Sequence, residues 1–124
     1  MFNRAILLWL VLAAPPAFAE TYLCSGTDPD WSLELEQTTA LFSAPDRTTT
    51  RYDVPLITQA EARDWPRAYT LVSRDATAIA VLRAQTCINP GVDREFGTTL
   101  DILTQSGVTP VILTGCCRLK PAQR

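Results

Sequence analysis

Apolar and polar residues alternate along much of this chain with a period of two, not 3.6. Trp31, Leu33 and Leu35 take turns with Ser32, Glu34 and Glu36, which puts the apolar side chains on one face of a half-buried strand. Thr48 to Val54 is a β-branched run bounded by turn residues. Tyr69, Leu71 and Ser73 alternate with Thr70 and Val72, and Ser73-Arg74-Asp75-Ala76 reads as the turn that follows. Thr77, Ile79 and Val81 then point one way, and Ala78, Ala80 and Leu82 the other. Phe96 to Leu103 and Val111 to Leu119 supply two more strands, parted by the hairpin-type turn Gln105-Ser106-Gly107. Most prolines beyond Pro16 fall between these runs, where a residue without a backbone N–H does least harm. One segment departs from the pattern. Thr58-Gln59-Ala60-Glu61 fits a capping box, so it predicts either a helix of under two turns, stopped at Pro66, or a plain loop. The whole reads as an all-β protein: a small antiparallel meander of about eight strands with at most one short helix. Such a meander closes as a barrel or as a tightly folded sandwich, and the barrel is the expected form.

The first residues stand apart from this pattern. Met1 to Arg4 is short and positively charged, Ala5 to Ala14 is unbroken apolar sequence, and Pro15-Pro16 ends it. Ala17-Phe18-Ala19 has the small-x-small form that signal peptidase cuts. The apolar run falls short of the about 20 residues needed to cross a bilayer. Thr21-Tyr22-Leu23 before Cys24 does not make a lipoprotein signal. The expectation is therefore an export signal at 1–19 and a single domain at 20–124, soluble in the periplasm, with no transmembrane segment. Without Arg4 that domain holds 10 basic and 13 acidic residues, and Lys120 is its one lysine. Scattered arginines on a net acidic chain offer no patch for nucleic acid or an anionic membrane.

Export changes the reading of the four cysteines, Cys24, Cys87, Cys116 and Cys117. In an oxidising compartment they predict two disulfides, and a domain of about 100 residues gains from such staples. Cys116 and Cys117 are adjacent, so on a strand they point to opposite faces and should reach different partners. Two pairings remain: Cys24–Cys117 with Cys87–Cys116, or Cys24–Cys116 with Cys87–Cys117. With no histidine in the chain a metal site is not expected, and no C-x-x-C redox motif is present. No cofactor is implied.

Gly26-Thr27-Asp28-Pro29-Asp30-Trp31-Ser32 resembles the G-T-E-P-F-W-S segment of a family of small Gram-negative envelope proteins that has no assigned function. That family also carries a C-x-D-G-M-S-D segment, then an aromatic residue, then a Gly-Cys pair near its C-terminus. Cys87-Ile88-Asn89-Pro90-Gly91-Val92-Asp93, Phe96 and Gly115-Cys116 stand in those places. Asp28 replaces Glu, Asp30 replaces Phe, and Asn89 to Val92 replace Asp-Gly-Met-Ser. The resemblance implies Cys87–Cys116 as the family's common bond, with Cys24–Cys117 as an addition.

Read physically, Asp28-Pro29 suits an Asx turn that aims Trp31 inward to plug one end of a barrel. Asp28, Asp30, Asn89 and Asp93 are oxygen donors, but they lack the tight spacing of a calcium loop. No nucleophile-and-base pair is recognisable, so the chain does not read as an enzyme. The expected function is binding of another periplasmic protein through the barrel loops, with Gly26, Asp28, Pro29, Trp31, Asn89 and Asp93 as candidate interaction residues. The alternative is a small apolar ligand held inside the barrel.

Overall fold

The computed structural model describes residues 20–45, 47–88, 95–106 and 109–121, without the side chains of residues 47, 48, 95 and 106. The predicted export signal and the candidates Asn89 and Asp93 lie outside the described residues. Ten strands follow in order: β1 (Tyr22–Gly26), β2 (Trp31–Leu35), β3 (Thr39–Ala44), β4 (Arg47–Gln59), β5 (Arg67–Val72), β6 (Ala76–Arg83), β7 (Cys87–Ile88), β8 (Glu95–Phe96), β9 (Thr98–Ser106) and β10 (Thr109–Leu119). Eight of them close an antiparallel barrel in the order β1-β10-β9-β6-β5-β4-β3-β2, and β7 pairs with β8 as a separate two-stranded flap. Closure pairs the first barrel strand with the last, residues 22–25 of β1 against residues 116–119 of β10.

Alternation in the sequence becomes inside and outside here. Trp31, Leu33 and Leu35 of β2 face inward, as do Tyr69 and Leu71 of β5 and Ala78, Ala80 and Leu82 of β6. β9 adds Leu100 and Ile102, and Cys24 and Cys117 complete the wall where β1 meets β10. Thr104 is the one polar residue buried among the described residues, and its hydroxyl donates to the Val111 carbonyl at 3.3 Å. The turn at Ser73 forms as expected. Its N–H donates to the Ala76 carbonyl at 2.8 Å, and its hydroxyl accepts from the Ala76 N–H at 3.1 Å.

Three local readings are corrected. The Thr58–Glu61 segment is not helical: Thr58 and Gln59 end β4, paired with Ala68 and Arg67 of β5, and a turn containing a cis Trp65–Pro66 bond follows. Pairing along β5 outcompetes the local capping preference. The run expected from Thr48 to Val54 extends to Gln59, because a register shift between Asp53 and Leu56 accommodates Pro55 inside the strand. Phe96 belongs to the flap and not to the barrel strand that follows it, and β3 is a strand the alternation did not single out.

Both disulfides form, as Cys24–Cys117 and Cys87–Cys116. Cys24 and Cys117 lie opposite each other in the β1–β10 register, so their bond crosses the barrel wall from within. Cys116, one residue along, points outward and ties the flap to the outside of β10. No helix among the described residues is long and apolar enough to cross a membrane.

Candidate functional site

β1 stops at Gly26, whereas β10 continues beyond it from Gly115 to Thr109. That step leaves part of β10 without a neighbour on the β1 side, and three separate sequence segments meet there. The chain turns through residues 27–30, with a cis Asp28–Pro29 bond, and re-enters the barrel at Trp31. Asp28 sits at φ 52°, a left-handed conformation that aspartate tolerates better than most residues. Asp28, Pro29 and Asp30 are exposed.

Trp31 is 4 % exposed and stacks on Phe42, with ring centroids 6.3 Å apart. Its indole packs closely against two glycines. A Cβ on Gly26 would overlap the indole nitrogen and stand 2.6 Å from the Thr114 carbonyl oxygen. A Cβ on Gly115 would overlap the Ser25 carbonyl and stand 2.7 Å from Trp31 Cζ2. Only glycine lets the backbone approach the ring this closely at both places. Gly26 and Trp31 of the first motif block (residues 26–32) and Gly115 of the third (Gly115-Cys116) are therefore one packing unit, although Trp31 and Gly115 lie 84 positions apart in the chain.

On the outer side of this unit lies a groove of about 240 Å³. The first block contributes Gly26 and Thr27 to it, the second Cys87 and Ile88, and the third Gly115 and Cys116, with Thr114 on its floor. The Cys87–Cys116 bond spans the groove, and the Cys87 Sγ also lies 3.4 Å from the Gly115 carbonyl. Ile88 stands at the lip, 73 % exposed. An open hollow of about 390 Å³ flanks Trp31 on its other side, between Asp30, Ser32, Ala44 and Pro45.

Gly26 and Trp31 thus come together with Gly115 beside the Cys87–Cys116 bond, a juxtaposition that their spacing in the sequence did not announce. Asp28 and Pro29 lie on the exposed turn beside them. Residues that the sequence did not single out include Thr27, Ile88 and Thr114. Nothing local in the sequence marked Ile88, because its exposure follows from the placement of Cys87 outside the barrel wall. Among the described residues, no three acidic, cysteine or histidine side chains gather to hold a metal ion.

Around its central aliphatic residues the barrel interior is filled by side chains. A side chain lining a void would retain accessible surface toward it, and Leu35, Leu71, Leu82, Leu100 and Ile102 retain none. At the other end of β1 the interior is capped by an aromatic and charged cluster. Trp65 meets Tyr22 edge-on at 6.5 Å, and the Arg67 guanidinium lies 4.3 Å above the Trp65 ring. Glu20 pairs with Arg67 at 3.3 Å and accepts from the Tyr22 hydroxyl at 3.2 Å. Burial, reinforced by the Glu20 carboxylate, pushes the Tyr22 phenol up to about 12. Tyr69 is also raised by burial, against the opposing pull of Arg67.

Compared with protein-family models, with curated proteins and with solved structures, the chain finds no match.

Proposed function

We propose that this protein is a non-catalytic binding protein of the periplasm, of the envelope-protein type its motifs resemble. It engages another protein through the groove beside Trp31. The observation that carries this reading is the convergence of the three motif blocks on one exposed groove whose walls are held by a disulfide and by the Gly26–Trp31–Gly115 packing. A rigid site of this kind loses little conformational entropy on binding. Ile88 at the lip offers apolar surface for a partner side chain, and Thr27 and Thr114 offer hydroxyls to orient it. The side-chain filling around Leu71, Leu82, Leu100 and Ile102 supports a protein partner over an apolar ligand inside the barrel. The absence of histidine and of any nucleophile-and-base pair supports binding over catalysis.

The test is affinity capture from periplasmic extract with the oxidised, exported protein, run beside Ile88→Arg and Thr27→Arg. The expected result is a co-purifying protein that both groove variants lose while their thermal stability stays unchanged. A partner retained by both variants refutes the groove as the site. Native mass spectrometry of the purified protein addresses the alternative, which requires a bound lipophile.

A further inference from the structure

The outer surface of the barrel is divided by chemistry. The wall formed by β1, β2 and β3 is interrupted by charge: Glu34 lies between Leu23 and the exposed Leu41, Arg51 of β4 lies on the far side of Leu41, and Lys120 pairs with Glu34 at 3.1 Å. The wall formed by β6, β9 and β10 is different. Ile79, Leu103 and Ile112 lie directly opposite one another across its three strands. They are exposed by 45, 41 and 70 %. Two residues before each of them along the strand stand Thr77, Asp101 and Pro110; two residues after stand Val81, Gln105 and Thr114. No lysine or arginine occurs among these nine outward positions, and Asp101 is their one charge. A continuous aliphatic row bordered by a single charge is the kind of surface that marks an interaction site.

We infer that this wall is the contact face of a weak, two-fold symmetric dimer of the chain. The spacing is self-complementary. A two-fold axis centred on Leu103 lays β9 antiparallel across the partner's β9, so Leu103 meets its own copy. The same operation exchanges the positions two residues to either side, and Asp101 then faces the partner's Gln105 in both halves. One half's carboxylate accepts from the other half's amide, which satisfies the one charge on the face as it leaves water. Around Ile79 and Ile112 the exchange brings only neutral residues together. An isologous contact needs this kind of self-match.

Area sets the strength of the contact. Each outward position on a sheet covers about 33 Å², from strand spacing and a two-residue repeat, so the nine positions form about 300 Å² of outer barrel face. A stable interface buries about 800 Å² per partner. The dimer is therefore a transient one that forms at high protein concentration. The face meets the proposed groove at Thr114, which belongs to both, but Ile79, Leu103 and Gln105, on which the two-fold contact turns, lie outside the groove.

Sedimentation velocity of the oxidised, exported protein over a wide concentration series tests it. The expected result is a reversible rise in mean mass toward a dimer at the upper end. Leu103→Lys and Ile112→Lys should each remain monomeric throughout, with unchanged circular dichroism and melting. Gln105→Glu, which sets a carboxylate against Asp101 twice, should weaken association at least tenfold at pH 7. Adding Asp101→Lys to that variant should restore it. A wild-type protein that stays monomeric at every concentration overturns the inference, as does a dimer indifferent to Leu103→Lys. A dimer lost in Leu103→Lys but unaffected by Gln105→Glu overturns the two-fold arrangement. A monomer that instead floats with neutral phospholipid vesicles would make this wall a lipid-facing surface and overturn it too.

Discussion

Gly115→Ala should destabilise the protein out of proportion to the single methyl it adds. The new Cβ would overlap the carbonyl oxygen of Ser25, stand 2.8 Å from the Ser25 carbonyl carbon and 2.7 Å from Trp31 Cζ2. Carbon atoms in contact ordinarily sit about 3.5–4.0 Å apart. Ser25 is backbone of the neighbouring strand, in register with Cys116, and the Cys24–Cys117 bond beside it holds β1 and β10 together. The ladder therefore cannot open cheaply, and the indole is held from behind by Phe42. Overpacking of this kind costs about 1–3 kcal/mol, and a clash with tethered backbone belongs at the upper end. Replacing glycine by alanine returns roughly 0.5–1 kcal/mol through the unfolded chain, leaving a net loss of about 2 kcal/mol. For a domain of this size that lowers Tm by roughly 8–16 °C. Thermal and urea unfolding of the oxidised protein read it, with Gly97→Ala as the control, because a Cβ there meets nothing within 4 Å. In a Trp31→Leu background the penalty should shrink but persist, since the Ser25 carbonyl stays in place. A Gly115→Ala protein that melts within a degree or two of wild type would refute the packing of Trp31 on the two glycines.

Trp31→Ala should cost about 3–5 kcal/mol, as removal of a buried aromatic does; a variant that keeps full stability in urea but loses its binding partner would move Trp31 from the core to the binding surface. Non-reducing peptide maps should show Cys24 joined to Cys117 and Cys87 to Cys116. A limiting dithiol should open Cys87–Cys116 first, because Cys87 is half-exposed whereas Cys24 and Cys117 are buried; equal rates by mass mapping would contradict the placement of the two bonds. Loss of Cys87–Cys116, which closes a 29-residue separation, should cost about 2–4 kcal/mol. Alkaline pH should destabilise the fold: below pH 10 Tyr22 is protonated in both states, and as pH rises from 10 toward about 12 the unfolded chain ionises first. Stability should therefore be unaffected by Tyr22 through neutral pH and fall across that window. A melting-temperature series paired with phenolate absorbance checks it, and a Tyr22 that ionises at its ordinary value would refute its burial beside Glu20.

Strand identity was legible because alternation is a local property: Trp31-Leu33-Leu35 and Ala78-Ala80-Leu82 read as one-sided wherever they are placed. The all-β class, the barrel and the need for two disulfides followed from that pattern and from cysteine count. The opposite orientation of Cys116 and Cys117 was equally local, since neighbours on a strand face opposite ways. Which partner each reaches was not, because that depends on whether position 117 or 116 lies inside, and only the β1–β10 register places Cys24 opposite Cys117. β3 escaped notice because its inward residues Ala40 and Phe42 make a weak alternation that gains meaning only between β2 and β4. The capping signal at Thr58 was real chemistry that a longer-range pairing with Ala68 overrode. The site shows the same division. Gly26, Trp31, Cys87, Gly115 and Cys116 were each noticeable in the sequence, but their contact arises from barrel closure, which joins the first strand to the last. Closure is a property of the whole sheet and is written in no single segment. It alone decided that a tryptophan near the start of the chain would rest on a glycine near its end.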